Sequence, residues 1–305
     1  MHKSMGASLY VPANHKDLLQ IANGEKLPQA RSLIFCTEDS VADRDLGWAL
    51  FNLSVVLQNM HDDVQAERFV RVRSPEVLAR VLAMPGASKL TGFVIPKATR
   101  RNFESYYRQV RDTDHMLMPT LETAEVFSER EMEAFRDLLQ SPGVRGRILA
   151  LRVGGNDLLA LLGLRRPRGM TIYRTPLGPV IARLVTIFRP HGFMLTAPVF
   201  EHLDLPELLA QEVTEDIAYG MVGKTAIHPS QILPIEEHYK VKPQDLAAAR
   251  AILDENSPAV FKMHDSMCEV ATHRAWAERM VAQSHVFGAD AVHGATVLKI
   301  EREGR

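Results

Sequence analysis

Short apolar runs recur along most of this 305-residue chain, separated by longer segments with helical periodicity. The runs cover 8–11, 33–36, 69–72, 92–96, 116–121, 148–153, 193–197 and 220–227. Each has the length and apolar content of a buried strand. Between them, 44–60 carries an apolar stripe of Leu46, Ala49, Leu50, Leu53, Val56, Leu57 and Met60, as an amphipathic helix would. Segment 75–84 opens on Pro75 and is followed by Pro85-Gly86, a helix start and a helix stop. Segments 123–139, 179–188 and 206–219 follow the same helical pattern.

Strands alternating with helices pair in parallel through right-handed crossovers. Eight such units closing on themselves make a (β/α)8 TIM barrel, an α/β fold of roughly 250 residues. An open doubly wound sheet is the competing architecture. It favours a glycine-rich first turn, whereas the first run here leads into Pro12-Ala13-Asn14-His15. The expected organisation is a TIM barrel over 1–235 and an α-helical C-terminal extension over 236–305, packing on a neighbouring subunit. Within the extension, 243–253 and 266–283 read as helices and 295–300 as a short strand.

Three of the strand runs end on acids: 32–37 on Glu38-Asp39, 116–121 on Glu122, and 148–156 on Asp157. A buried strand is a poor place for a carboxylate, so parallel strands would gather these acids at one rim. Glu122 and Asp157, on adjacent strands, cannot both stay ionised at close range without a cation, and Mg²⁺ completed by water and substrate oxygens would resolve the repulsion. Both also suit the N-terminus of the helix that follows, a purely structural role. Gly154-Gly155, just before Asn156-Asp157, lets backbone approach a ligand closely. Glu38 and Asp39 suit a supporting role beside metal-bound water or an arginine, or the cap of the next helix.

Arg71 and Arg73 flank Val72 at the end of the third run. Strand residues two apart face the same way, so both arginines are expected at the barrel mouth, gripping an anionic substrate or bridging to the acids. Lys97, after Phe93-Val94-Ile95-Pro96, suits electrostatic substrate binding better than Schiff-base chemistry, because nearby carboxylates stabilise its ammonium. His228, between Ile227 and Pro229, has the chemistry of a general base but suits the ordering of its loop better. Cys36, within a run, reads as a small buried hydrophobe.

A net charge of −1 gives no reason to expect nucleic acid or an anionic membrane as partner. Two distant cysteines, Cys36 and Cys268, make no disulfide framework, and Pro12 and Asn14 interrupt the first apolar run. A cytoplasmic protein with a small anionic substrate is therefore expected.

The ordered segments Leu9-Tyr10-Val11-Pro12, Cys36-Thr37-Glu38-Asp39-Ser40-Val41, Val70-Arg71-Val72-Arg73, Val94-Ile95-Pro96-Lys97, Leu121-Glu122-Thr123-Ala124, Gly155-Asn156-Asp157-Leu158 and Gly223-Lys224-Thr225-Ala226-Ile227-His228-Pro229-Ser230-Gln231 resemble the citrate lyase beta-chain-like proteins of the HpcH/HpaI aldolase family. The resemblance covers nearly the whole chain. It implies a TIM barrel, a Mg²⁺-dependent carbon–carbon lyase and a homo-oligomer, trimeric or hexameric. It also implies Glu122 and Asp157 as metal ligands, Arg71 as partner of the substrate carboxylate and enolate, and Glu38 and Asp39 near the metal waters.

Several positions depart from the family pattern. Arg73 stands where the family has asparagine, Thr37 replaces a leucine, and Ala197-Pro198 stands where strand seven ends on aspartate. Relatives that use coenzyme A carry a Gly-Lys-Met-hydrophobic-Asp motif in the C-terminal arm, its Asp reaching a neighbour's site. Here Asp265-Ser266-Met267-Cys268-Glu269 offers Glu269 as the intersubunit acid and lacks the glycine and lysine, which counts against a coenzyme A thioester. The tail resembles a divergent branch of lyase-like TIM barrels found with tellurium-resistance and stress genes. Two other functions fit the residues: phosphate or phosphoenolpyruvate chemistry, with Arg71 and Arg73 on a phosphate, and a non-catalytic ligand-binding subunit of a stress-response system.

Overall fold

The structure, a computed structural model, describes residues 5–290. Every apolar run becomes a strand: β1 Gly6–Pro12, β2 Ser32–Cys36, β3 Glu67–Arg71, β4 Gly92–Ile95, β5 Met116–Leu121, β6 Leu151–Val153, β7 Leu195–Thr196 and β8 Gly223–Ala226. They form one eight-stranded sheet in the order β7-β6-β5-β4-β3-β2-β1-β8. All named pairings are parallel, with register pairs such as Leu9–Leu33, Phe35–Val70 and Thr120–Arg152. A parallel bridge between Ala197 and Lys224 joins the end of β7 to β8 and closes the sheet into the expected barrel.

The barrel interior follows from the two-residue strand period. Ile34, Phe69, Val94, Met118, Ala150 and Val222 meet there in one apolar cluster. Along β5 and one residue past its end, the inward positions are thus Met118, Thr120 and Glu122, apolar at depth and acidic at the C-terminal rim. The opposite faces of the strands are covered by helices such as Leu46–Asn59, Pro75–Leu82, Glu129–Gln140, Leu177–Phe188 and Pro206–Ala218. Pro75–Leu82 is capped by Ser74, whose hydroxyl accepts from the Val77 N–H.

Contacts divide the molecule into two units, Met5–His238 and a second one from Tyr239 onward. The short helix Ile232–His238 belongs to the barrel because Glu236 accepts from the Ala7 N–H at 3.3 Å and from Arg31 at 2.9 Å. The second unit packs helices Pro243–Leu253 and Val270–Phe287 around Leu246, Ala249, Ile252, Ala277 and Met280. It is not wholly helical. Where 266–283 suggested one helix, Ser266–Glu269 (β10) pairs antiparallel with Val260–Met263 (β9), and the helix begins at Val270. His264 and Asp265, with φ of 49° and 59°, make the tight turn, a left-handed pair matched to a hairpin. The strand suggested at 295–300 lies outside the described residues.

Candidate active site

The carboxyl ends of the strands bring Glu38, Asp39, Arg71, Lys97, Glu122 and Asp157 to one side of the barrel. A cavity of about 360 Å³ opens there, lined by Tyr10, Asp39, Arg71, Thr120, Glu122, Arg152, Gly154, Asp157 and Thr225 among others. A second hollow of about 400 Å³ lies between Lys97, Thr123 and Ala160 and shares Glu122 and Asp157 with the first. Glu122 and Asp157 therefore stand on the wall common to both.

Glu122 is only 2% exposed. Its Oε1 accepts from the Lys97 backbone N–H at 2.8 Å and from Arg71 Nη2 at 3.2 Å. Lys97 reaches that position through a left-handed backbone, φ 47°, an unfavourable conformation for a non-glycine residue that points its N–H at the carboxylate. Gly154 completes the pocket: a Cβ there would lie 2.4 Å from both Cβ and Oε2 of Glu122. Asp157 sits in the first turn of helix Gly155–Leu161.

Arg71 is the electrostatic hub. Its Nη2 lies 2.7 Å from Glu38 Oε2, 3.0 Å from Asp39 Oδ2 and 3.2 Å from Glu122 Oε1. Lys97 Nζ adds a contact of 2.7 Å to Glu38 Oε1. Burial opposes ionisation of Glu38, but its hydrogen bond with Asp39 and the charges of Arg71 and Lys97 prevail and lower its pKa. Asp39 moves the other way, raised by desolvation and by the Glu38 carboxylate beside it. The Asp39 side chain keeps 60% of its surface, so the neighbouring negative charge is the more persuasive cause. The pair thus separates into an ionised Glu38, holding both cations, and an Asp39 that retains a proton more readily.

Glu122 is pushed up to about 7, mainly by burial, with Arg71 opposing and Asp157 adding repulsion. Burial thus favours the protonated form of Glu122, and the nearby Asp157 charge adds to that preference. No group of three or more His, Cys, Asp or Glu among the described residues makes a metal cage. Two carboxylates on the wall of a cavity fit Mg²⁺, which takes few protein ligands and keeps positions for water and substrate. The donors fit that ion better than zinc, which favours a closed set of nitrogen and sulfur ligands.

Residues 1–289 match the family model described as C–C bond lyase of the TIM-barrel fold. The chain belongs to this family. Human citramalyl-CoA lyase, a mitochondrial protein, is 25% identical over 280 residues, 86% of this chain and 77% of the human one. A Mycobacterium tuberculosis protein named CitE, solved with magnesium, acetoacetate and coenzyme A, superposes with TM-score 0.68 at 21% identity, covering 93% of this chain and 100% of that one. A Haloferax volcanii malate synthase, solved with magnesium and glyoxylate, gives TM-score 0.66 at 15% identity, covering 94% and 90%. The resemblance to citrate lyase beta-like proteins is thereby borne out.

Within this C–C bond lyase, one expected residue leaves the cavity. Strand β3 stops at Arg71, two residues short of Arg73, and the Arg73 side chain is drawn to the loop after β2. The Arg73 guanidinium donates to the carbonyls of Thr37 and Glu38, each at 3.2 Å, and to that of Val41, and pairs with Asp43. It fastens the loop after β2 and does not line the cavity, so it is withdrawn as a substrate ligand. Thr37 serves the same loop, its hydroxyl donating to the Arg71 carbonyl at 2.9 Å. His228 also orders its own loop, Nδ1 accepting from the Ser230 N–H at 3.2 Å. Cys36 is buried and lines the cavity, its sulfur accepting from the Glu38 N–H at 3.4 Å. Pro198, just after β7, leaves no room for a side chain at Gly155, whose Cβ would meet it at 2.7 Å. Glu269 closes β10 in the second unit, its N–H donating to His273 Nδ1 at 3.1 Å.

Tyr10, Thr120, Arg152 and Thr225, none marked out by the acids or by Arg71 and Arg73, also stand in the cavity wall. A signal for Arg152 was available: Ala150 lies in the barrel core and Gly154 faces Glu122, so the residue between them shares their side of β6. Lys224 turns elsewhere. It is fully buried between Glu212 and Asp216 at 2.8 and 2.9 Å, and Arg166 also pairs with Glu212.

Proposed function

We propose that this chain is a Mg²⁺-dependent lyase that breaks, or in the reverse direction forms, a carbon–carbon bond beside the carbonyl of a small carboxylate or acyl substrate. The observation that carries this is the shared wall: Glu122 and Asp157 border one cavity, and a fixed guanidinium stands 3.2 Å from the first of them. Glu122 and Asp157 would hold the ion. When bound, it supplies Lewis-acid stabilisation of the negative charge that develops as the bond breaks.

The protein's own groups do the rest. Arg71 binds the substrate oxyanion and offers a preorganised positive charge, effective because its site is largely closed to water. Glu38, ionised and buried, positions Arg71 and Lys97 and keeps both protonated. Asp39 faces the cavity directly. Lys97 gives its N–H to Glu122 and its ammonium to Glu38, so its role is electrostatic. The family's magnesium-bound relatives support this reading. The departures around Glu269 favour a free acid over a coenzyme A thioester. A homo-oligomer in the cytoplasm, bringing Glu269 to a neighbour's cavity, belongs to the same proposal, and a monomer in solution would remove that part.

Calorimetric Mg²⁺ titration of wild type, Glu122→Gln and Asp157→Ala tests the metal assignment. Both variants should fold and lose binding; unchanged affinity in either refutes it. A panel of 3-hydroxy acids, 2-oxo acids and acyl thioesters, followed for cleavage products with Mg²⁺ present, tests the activity. Tight ligand binding without turnover of any of them would favour a sensor subunit instead.

A further inference from the structure

Among the described residues, Arg152 carries a buried positive charge with no acidic partner. Its side chain is 1% exposed and lines the cavity. The other deeply buried cations are matched: Arg71 by Glu38, Asp39 and Glu122, Arg166 by Glu212, and Lys224 by Glu212 and Asp216. Arg68 is bonded to the carbonyls of His61 and Lys89 and lies near Asp62 and Asp63. For Arg152, the described residues provide only neutral partners. Nη2 donates to Thr225 Oγ1 at 2.6 Å, Nη1 approaches Met118 Sδ at 3.9 Å, and the guanidinium carbon lies 5.5 Å from the Tyr10 ring centroid.

Burying a charge without a counter-charge is costly, and a ligand that supplies one recovers that cost on binding. The surroundings suit such a ligand. Arg152 pairs in register with Thr120 on β5 and Thr196 on β7, and the hydroxyls of both threonines are buried with no hydrogen-bond partner. Thr120 lines the same cavity. Tyr10 separates the two cavity arginines, its ring centroid 5.7 Å from the Arg71 carbon and 5.5 Å from that of Arg152. One arginine stands at the acidic rim and the other, on the inward face of β6, has hydroxyls instead of acids around it.

We infer that Arg152, with Thr120 and Thr225, is a second anion-binding subsite, so that the cavity takes a small substrate with two acidic groups. One group binds at the rim with Arg71, which rests on the function proposed above, and the other pairs with Arg152. The second positive charge expected from Arg73 is thus supplied from inside the barrel. A short dicarboxylic hydroxy or oxo acid has the required chemistry, and a cavity of about 360 Å³ is ample for four or five carbons.

Matched probes test this: L-malate and 3-hydroxybutyrate, which differ by a carboxylate in place of a methyl group, with phosphoenolpyruvate as the phosphate-bearing counterpart. Binding to wild type and Arg152→Met is measured by calorimetry with and without Mg²⁺. Wild type should prefer malate to 3-hydroxybutyrate by at least about tenfold. Arg152→Met should weaken malate about 10- to 100-fold, as expected for a lost charged hydrogen bond, and leave 3-hydroxybutyrate within about threefold. A preference for phosphoenolpyruvate that Arg152→Met abolishes supports the subsite with phosphate as its anion. No wild-type preference for either diacid, or equal loss of malate and 3-hydroxybutyrate in the variant, overturns it.

Unliganded Arg152→Met should melt no lower than wild type, since an unmatched buried charge is removed. A fall of about 5 °C or more would make Arg152 a structural residue and overturn the inference. Wild-type preference is read without any variant, so a poorly folding substitution leaves the test intact. Absence of Mg²⁺ binding or of turnover counts against the lyase; the diacid preference without Mg²⁺ judges Arg152 alone.

Discussion

Gly154→Ala is the smallest change that should disable the proposed metal wall. The added methyl would stand 2.4 Å from both Cβ and Oε2 of Glu122, against a relaxed carbon–carbon separation of about 3.5–4.0 Å. Neither side can step back easily. Glu122 is 2% exposed, with Oε1 tied to the Lys97 N–H and to Arg71. Gly154 is tied to the same strand, its N–H donating to the carbonyl of Leu121, the residue before Glu122, at 3.0 Å. Relief must come from parting β5 and β6 or from moving the carboxylate. The first costs about 1–3 kcal/mol of stability, as overpacking does. The second should lower Mg²⁺ affinity about 10- to 100-fold, as for other groups that orient a metal ligand.

Denaturant unfolding and calorimetric Mg²⁺ titration on the same variant read both routes. The contact also dictates its own suppressor. Because the clash includes Cβ, Glu122→Ala retains part of it and Glu122→Gly removes it. The stability cost of Gly154→Ala should therefore shrink by about 1 kcal/mol or more in the Glu122→Gly background, a coupling that a double-mutant cycle resolves. Unchanged stability and unchanged Mg²⁺ affinity in Gly154→Ala would refute the reasoning. So would an equal cost with and without the Glu122 side chain.

Mg²⁺ affinity should rise as pH rises through about 7 and level off above it, because the proton that burial keeps on Glu122 must leave before a cation binds; titrations between pH 6 and 8 with constant affinity would contradict this. Arg73→Met should cost about 1–2 kcal/mol in denaturant unfolding through the lost loop hydrogen bonds, without changing affinity for anionic ligands; a drop in ligand affinity alone would return Arg73 to the cavity. Lys224→Met should destabilise the barrel by about 3–5 kcal/mol, because Glu212 and Asp216 would lose the ammonium buried between them. A thermal midpoint equal to wild type would show that those acids accept protons at little cost.

What could be read from the sequence depended on whether a residue's direction was set locally. The strands were legible because a buried parallel strand writes itself as a short apolar run, and the acids at 122 and 157 stood out because they end such runs. Direction is also local along a strand and at the residue on either side of it, but not further. Alternation from Arg71 would turn Arg73 inward if β3 continued, yet β3 ends at Arg71 and the chain turns toward the Ser74 cap. The reverse holds for Arg152, which lies inside β6 between two inward residues but reads in sequence as an interruption of an apolar run. The hairpin before Val270 was hidden for a third reason: its turn uses His264 and Asp265, with no glycine to mark the left-handed pair. Exchanging Arg73 for Arg152 changes the chemistry more than the count of charges. An arginine fastened to the loop after β2 would add charge at the open mouth, where water screens it. An arginine 1% exposed inside the barrel acts in a low-dielectric site and distinguishes a ligand with a second acidic group from one that ends in a methyl. On the proposed assignment, substrate choice turns on the β6 arginine, and the acidic rim supplies the reaction's charge without setting that choice.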